Sequence, residues 1–326
     1  MSSLKIHEPR PWDSIKSLEV RFYDVWDEPG PQDSHPDSIF KHIPPTVSSL
    51  YLYLEDRDDI VAINDGLHLH IPEIVLTNLT TFTFSCDWDG TMMLQILQSC
   101  TNVENLTLDF RGSSVAFQDA PLLREAGLLL PKVRILHLDQ IISGAVSSIQ
   151  ALRTPSLVEL RISFVTDVIH PVAFTNRAYV SDNFASSVLS FVRASGCQGS
   201  LRKFRFDSIS IPNPQLVAIL TNLPFLTHLA LDNTFFDPTP FGKYDYVYGG
   251  SALLPCLAVL ELLRLPPDFP RDAMSHFAVA RKLELPPGGL KKFVMTFRKY
   301  QPPDLSLLVD KFKNTFPIET TCFAFV

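Results

Sequence analysis

Apolar residues recur along this chain in one short phrase, apolar-x-x-apolar-x-apolar, separated by longer polar stretches. It reads Ile15-Lys-Ser-Leu18-Glu-Val20, then Val47-Ser-Ser-Leu50-Tyr-Leu52, and further copies start at Leu79, Val103, Val133, Leu157, Leu201, Leu226, Leu257 and Leu290. Successive starts lie 24 to 33 residues apart, with one step of 44 between Leu157 and Leu201. Alternation at the fourth and sixth positions is strand periodicity, one side chain inward and the next outward. The intervening stretches change period. Phe184, Val188, Phe191 and Val192 follow a helical stripe behind the cap candidates Ser181 and Asp182. Asn213-Pro214 opens another helix, with Asn213 as N-cap and Leu216, Ile219, Leu220 and Leu223 as its stripe. Met93, Ile96 and Leu97 suggest a shorter turn of the same kind.

Proline supports the register independently. Pro45, Pro131, Pro155, Pro224 and Pro255 each stand two residues before the first apolar position of a copy. A residue without an N–H that bars its predecessor from the α region ends a helical return and launches an extended segment. One strand-plus-return unit cannot bury its own apolar edge, so neighbouring units must stack into a continuous core. The pattern therefore predicts an α/β solenoid of about ten irregular repeats, with a curved parallel sheet on the concave face and helices and loops on the convex face. Residues 1–14 form a lead-in, 15–300 the repeat array, and 301–326 a C-terminal helix and tail capping it. A (β/α)8 barrel would need longer helices, and a sandwich would lack helical returns.

The phrases Cys100-Thr-Asn-Val-Glu-Asn-Leu-Thr-Leu108, Leu130-Pro-Lys-Val-Arg-Ile-Leu-His-Leu138 and Leu223-Pro-Phe-Leu-Thr-His-Leu-Ala-Leu231 resemble the leucine-rich repeats of fungal F-box/leucine-rich-repeat proteins, over roughly residues 12 to 300. The resemblance implies an intracellular, cytoplasmic or nuclear, protein-binding module: the substrate-recognition part of an F-box-type ubiquitin ligase subunit. The alternative is a free-standing repeat scaffold. In that family an N-terminal F-box binds a Skp-type adaptor. No such box is found in this chain, and Leu265-Pro-Pro-Asp268, which has the box's opening residues, falls between copies nine and ten. An adaptor is thus an expected partner only if a box lies upstream. The ninth position, Asn or Cys in the common repeat, here holds Tyr23, Glu55, Asp87, Arg111, Ile141, Val165, Ile209, Thr234, Leu265 and Arg298. No asparagine ladder is expected from it.

Composition narrows the partner. Hydrophobic residues make up 46% of the 326, enough for a substantial core, and the net charge of -7 argues against nucleic acid as principal ligand. Five scattered cysteines without a Cys-x-x-Cys pair suit a reducing compartment. No signal-peptide core or membrane-length apolar run occurs, so no membrane contact is expected. Residues 281 to 313 hold eight bases against three acids, a local +5 that reads as a solvated C-terminal face or a docking surface for an acidic partner.

Catalytic and cofactor motifs are not found: no Gly-rich phosphate loop, nucleophile elbow or His-Glu-x-x-His. His68, His70 and nearby Asp65 lack a third strong ligand for a metal, and Glu55, Asp56, Asp58 and Asp59 lack the spacing of a calcium loop. The expectation is a non-enzyme with no cofactor or metal. Its candidate site is the outward side of the strands. One outward row includes Tyr51, His137, Arg161 and Arg205; the next includes Tyr53, Asp109, Asp139, Asp207 and Asp232. Across a sheet these become a basic ladder beside an acidic one, with the tyrosines as aromatic anchors toward one end. They either bind a protein or peptide, or pair with each other to keep an exposed sheet soluble. On the binding reading, reversing Arg161 and Arg205 should abolish capture without unfolding the protein.

Overall fold

The computed structural model describes residues 11–21, 39–54, 69, 71–86, 90–110, 127–165, 178–179, 182–239, 241, 253–266, 268–270, 272, 274, 277–278, 289–298 and 321–325. Its strands are β1 (Ser17–Arg21), β2 (Ser49–Tyr53), β3 (Thr81–Ser85), β4 (Asn105–Asp109), β5 (Leu128–Leu129), β6 (Ile135–Ile141), β7 (Leu152–Arg153) and β8 (Glu159–Phe164). They continue as β9 (Ala178–Tyr179), β10 (Lys203–Asp207), β11 (Ile209–Ser210), β12 (His228–Asp232), β13 (Val259–Leu265), β14 (Lys292–Phe297) and β15 (Thr321–Phe325). Eleven of them form one sheet in the order β1-β2-β3-β4-β6-β8-β10-β12-β13-β14-β15, and the two-residue strands pair as β5 with β7 and β9 with β11. Neighbours in the large sheet are parallel throughout.

Ten of those eleven strands coincide with the ten apolar phrases. Their fourth positions lie directly opposite one another in sequence, Leu18, Leu50, Phe82, Leu106, Leu136, Leu160, Phe204, Leu229, Leu260 and Phe293. A parallel pair cannot be joined by a tight hairpin, so each strand must be followed by a return across one face. Among the described residues, returns contain the α-helices α1 (Glu73–Asn78), α2 (Gly90–Gln98), α3 (Phe184–Ser195) and α4 (Asn213–Thr221). The inward strand residues and the helix residues Val75, Met93, Phe184, Phe191 and Ile219 share one buried cluster. Phe184 of α3 meets Phe164 and Phe206 at ring-centroid distances of 5.8 and 5.5 Å. The other sheet face carries half-exposed side chains along the regular strands, as the alternating burial of β2, β4 and β8 shows.

The prolines act through a specific turn. Backbone N–H groups of Val47, Val133, Leu157, Leu226 and Leu257 donate to the carbonyls three residues earlier, at Pro44, Leu130, Thr154, Leu223 and Leu254. That places Pro45, Pro131, Pro155, Pro224 and Pro255 at the second position of a β-turn, where a φ fixed near -65° is already correct. Units are also stitched together at this edge. Asn78 donates to the Pro45 carbonyl at 2.9 Å, Asn102 to Thr77 at 2.7 Å, Ser156 to Pro131 at 2.7 Å and Thr227 to Arg202 at 3.2 Å. A side-chain ladder between units thus exists before the strand rather than at the ninth position.

Several expectations need correction. Helix α3 starts after Asn183, not behind a Ser181 or Asp182 cap, and its Asn183 makes no side-chain cap bond. It ends at Gly196, whose φ of 67° is the left-handed C-cap conformation that glycine adopts without a Cβ penalty. Asn213 does not cap α4, whose N-cap is Pro212. Its amide is instead drawn to the following unit, donating to Asp237 at 2.9 Å while its carbonyl accepts the Asp237 N–H at 3.2 Å. At the C-terminus, residues 321–325 are not a tail: Thr321–Phe325 pairs parallel with β14 as the eleventh strand. Its β-branched and aromatic residues suit that role, whereas the helix expected in the same stretch falls on 301–320, outside the described residues. Also outside are Glu55, Asp56, Asp58, Asp59, Asp65, His68 and His70, and most of the basic run, leaving Lys291, Lys292 and Arg298.

Candidate functional site

Side chains on the open sheet face are positioned by register alone. His137, Arg161 and Arg205 stand directly opposite one another on β6, β8 and β10. Asp109 faces Asp139 across β4 and β6, and Asp207 faces Asp232 across β10 and β12. Ser163 of β8 separates the two acidic pairs. Tyr51 and Tyr53 of β2 stack with rings 6.5 Å apart, and Arg21 lies 5.3 Å above the Tyr51 ring. Four strand spacings separate the tyrosines from Arg161, about 19 Å at ~4.8 Å each. The structure therefore brings His137, Asp139, Arg161, Arg205, Asp207 and Asp232 together on neighbouring strands, while Asp109 on β4 stands between them and the tyrosine pair.

The strongest contacts in that group involve a residue that period-2 reading missed. Arg264 donates to Asp207 at 2.9 Å and to Asp232 at 2.5 Å. Arg205 also bonds Asp232, and Ser208 donates to Asp207 at 2.7 Å. Arg161 lies 3.6 Å from Asp207 and 3.7 Å from Asp139, and its Nε has no hydrogen-bond partner. Three guanidiniums thus converge on two aspartates that are almost wholly buried. Strict alternation puts Leu263 outward and gives Arg264 no such role. The backbone explains the difference: Gln140, Ser208, Asn233 and Arg264 all stand two residues beyond a sixth position and all have φ between 50° and 62°. At Gln140 and Arg264 the ladder slips, with Ile141 facing Phe164 and Leu265 facing Phe297. A bulged residue in the left-handed region turns its side chain to the open face and returns the next one to the core. Ile141, Ile209, Thr234 and Leu265, the ninth positions that follow, are all buried.

The row two residues earlier on the strands, Glu159, Lys203, His228 and Lys292, absent from the sequence prediction, completes the surface. Glu159 is 3.5 Å from His137 and 3.2 Å from Lys203; Glu261 is 3.3 Å from His228 and 2.7 Å from Lys292. The hydrogen bond from His228 dominates at Glu261, where it and Lys292 outweigh burial and bring the carboxyl down to about 2. Burial raises Glu159, but Lys203 and His137 more than offset this and the net shift is downward. At Asp139 burial prevails over Arg161 and His137, and its carboxyl rises above the ordinary aspartate range. Asp109 accepts from Ser85 at 3.0 Å and from Gln140 at 3.3 Å.

Chemically, the face offers fixed charges and hydrogen-bond donors. Among the described residues no cluster of His, Cys, Asp or Glu has the arrangement of a metal site, and no helix is long and apolar enough to cross a membrane. Cys86, Cys100 and Cys197 are buried, and burial pushes Cys100 up to about 12 and Cys197 up to about 11. Those values leave Cys100 and Cys197 protonated and unreactive at neutral pH. No known protein family and no curated protein sequence matches this chain.

Proposed function

We propose that the chain is a leucine-rich-repeat solenoid, intracellular and non-catalytic, whose open, concave sheet face binds another protein. The observation that carries this reading is the in-register ladder of polar, charged and aromatic side chains on a parallel sheet whose described helices pack against the opposite face. Solenoids of this kind use such an extended face as their working surface. Fixed guanidiniums over buried carboxylates lose little conformational freedom on docking, which favours affinity.

The test is a panel of peptides selected from a random display library on the wild-type protein. They should lose binding to Arg161→Glu and weaken on Tyr51→Ala, and equal binding to both variants would remove the face from consideration. Arg205 is the wrong residue for that test. Reversing it sets a new carboxylate against buried Asp232, to which Arg205 is hydrogen-bonded, so the reversal is confined to Arg161, with a thermal melt of Arg161→Glu to check that it folds. The resemblance to F-box proteins supports a narrower proposal, substrate recognition for a ubiquitin ligase. Stable co-purification of the full-length native protein with a Skp-type adaptor is its expected result. Failure of that co-purification favours the free-standing scaffold.

A further inference from the structure

Charge on the open face is sorted by depth. Among the described residues between β6 and β14 it carries five bases, Arg161, Lys203, Arg205, Arg264 and Lys292, and five acids, Asp139, Glu159, Asp207, Asp232 and Glu261, so their sum is zero. The bases, however, have side chains 32% to 54% exposed, whereas the acids are only 6% to 28% exposed. Aspartates are short and lie against the sheet, while the long basic side chains lift their charges outward. Anything approaching meets ammonium and guanidinium groups first, with the carboxylates recessed behind them. The sequence, with a net charge of -7, conceals this entirely.

Resting on the protein-binding reading above, we infer that the partner presents an extended segment rich in Asp and Glu, laid across β8 to β14. Its carboxylates meet the outermost layer of bases, centred where three guanidiniums gather about Asp207 at 2.9, 3.6 and 4.0 Å. Arg161 is the prime contact, since its two carboxylate neighbours stand beyond hydrogen-bonding distance and, with Nε buried, its guanidinium is left to bind through its terminal nitrogens. Four strand spacings of ~4.8 Å separate β8 from β14, about 19 Å, which about six residues of extended chain at ~3.3 Å each would span. Alternate residues of such a chain point the same way, so acids at every second position would all face the bases. A protein segment is favoured over a nucleic acid because the chain carries a net charge of -7 and the face has no surplus of bases over acids, whereas a phosphate backbone needs clustered, unbalanced bases.

The experiment uses end-capped peptides of alternating Glu and Ser, with Gln/Ser and Lys/Ser counterparts, titrated by fluorescence anisotropy against the intact protein. The Glu/Ser peptide should bind, should weaken about tenfold or more with Arg161→Ala but less with Arg161→Lys, and should weaken as salt rises. Thermal melts of both variants confirm folding. Equal binding of the Gln/Ser peptide, preference for Lys/Ser, indifference to Arg161→Ala, or displacement by a single-stranded oligonucleotide at lower concentration would each overturn the proposal. If the acidic peptide fails but display-selected peptides still depend on Arg161, the partner chemistry is wrong and the face stands. If nothing binds in an Arg161-dependent way, both fail.

Discussion

At the residue scale, the arginines of the open face divide into supports and contacts. Arg264 hydrogen-bonds two aspartates that are each more than nine-tenths buried, so Arg264→Ala leaves buried carboxylates short of a partner. It should cost about 3–5 kcal/mol in urea denaturation. Arg161, with no comparable bond, should cost less than about 1 kcal/mol on the same substitution. Equal losses would contradict the layered arrangement. Glu261 supplies a pH signature. Its folded pKa is lowered from 4.5 to about 2, chiefly by the His228 hydrogen bond, so its stabilisation is complete above about pH 4.5 and is lost as pH falls toward 2. Against wild type, Glu261→Gln should flatten the fall in stability over that window, by an amount on the order of 3 kcal/mol. Of the nine predicted site residues, Asp207 and Asp232 were named as binding groups and prove to be the buried base of the cluster. Arg264 was legible only as a charged residue after a strand, because its left-handed φ is set by the bulge and not by its own preference.

At the element scale, the bulges are the departure from simple alternation that matters. In β6 the residues Asp139 and Gln140 together occupy the space opposite Ser163, after which Ile141 re-enters the core. Gln140 has φ 52°, a region costly for β-branched side chains and free for glycine. Gln140→Val should therefore destabilise by about 1–2 kcal/mol and Gln140→Gly should be nearly neutral, as measured by denaturant midpoint at unchanged slope. Matching losses from both substitutions would point to the Gln140–Asp109 hydrogen bond instead. Ten strands could be placed from sequence because their inward positions demand apolar residues whatever follows them. The bulges could not, since a Gln, a Ser, an Asn and an Arg occupy the same geometric position and share no chemical signature.

At the scale of the whole molecule, each strand of the sheet rests chiefly on its neighbours, so stability should vary along the array. Among the described residues the end strand β1 has only β2 beside it, and its inward Leu18 and Val20 are only partly buried where the equivalent residues of β2 to β14 are buried. With Ile15, Trp12, Phe40 and Ile43 they line an apolar recess of about 410 Å³. Amides of Ser17–Arg21 should exchange with deuterium well before those of Glu159–Phe164 in native-state exchange mass spectrometry. Simultaneous exchange of the two would show that the sheet opens as a single cooperative unit.

What this sequence determined by itself was the repeated strand, its inward face and its turn. Each follows from local constraints: apolar residues at period two, and proline at the second position of a turn that admits it. Tertiary structure decided what the outward side chains do. Whether Asp207 binds a partner or supports a guanidinium depends on an arginine 57 residues away, brought beside it by the parallel register across β12 and the backbone reversal at Arg264. Depth above the sheet, which makes a neutral face present its bases first, is a property of stacked strands and has no counterpart along the chain.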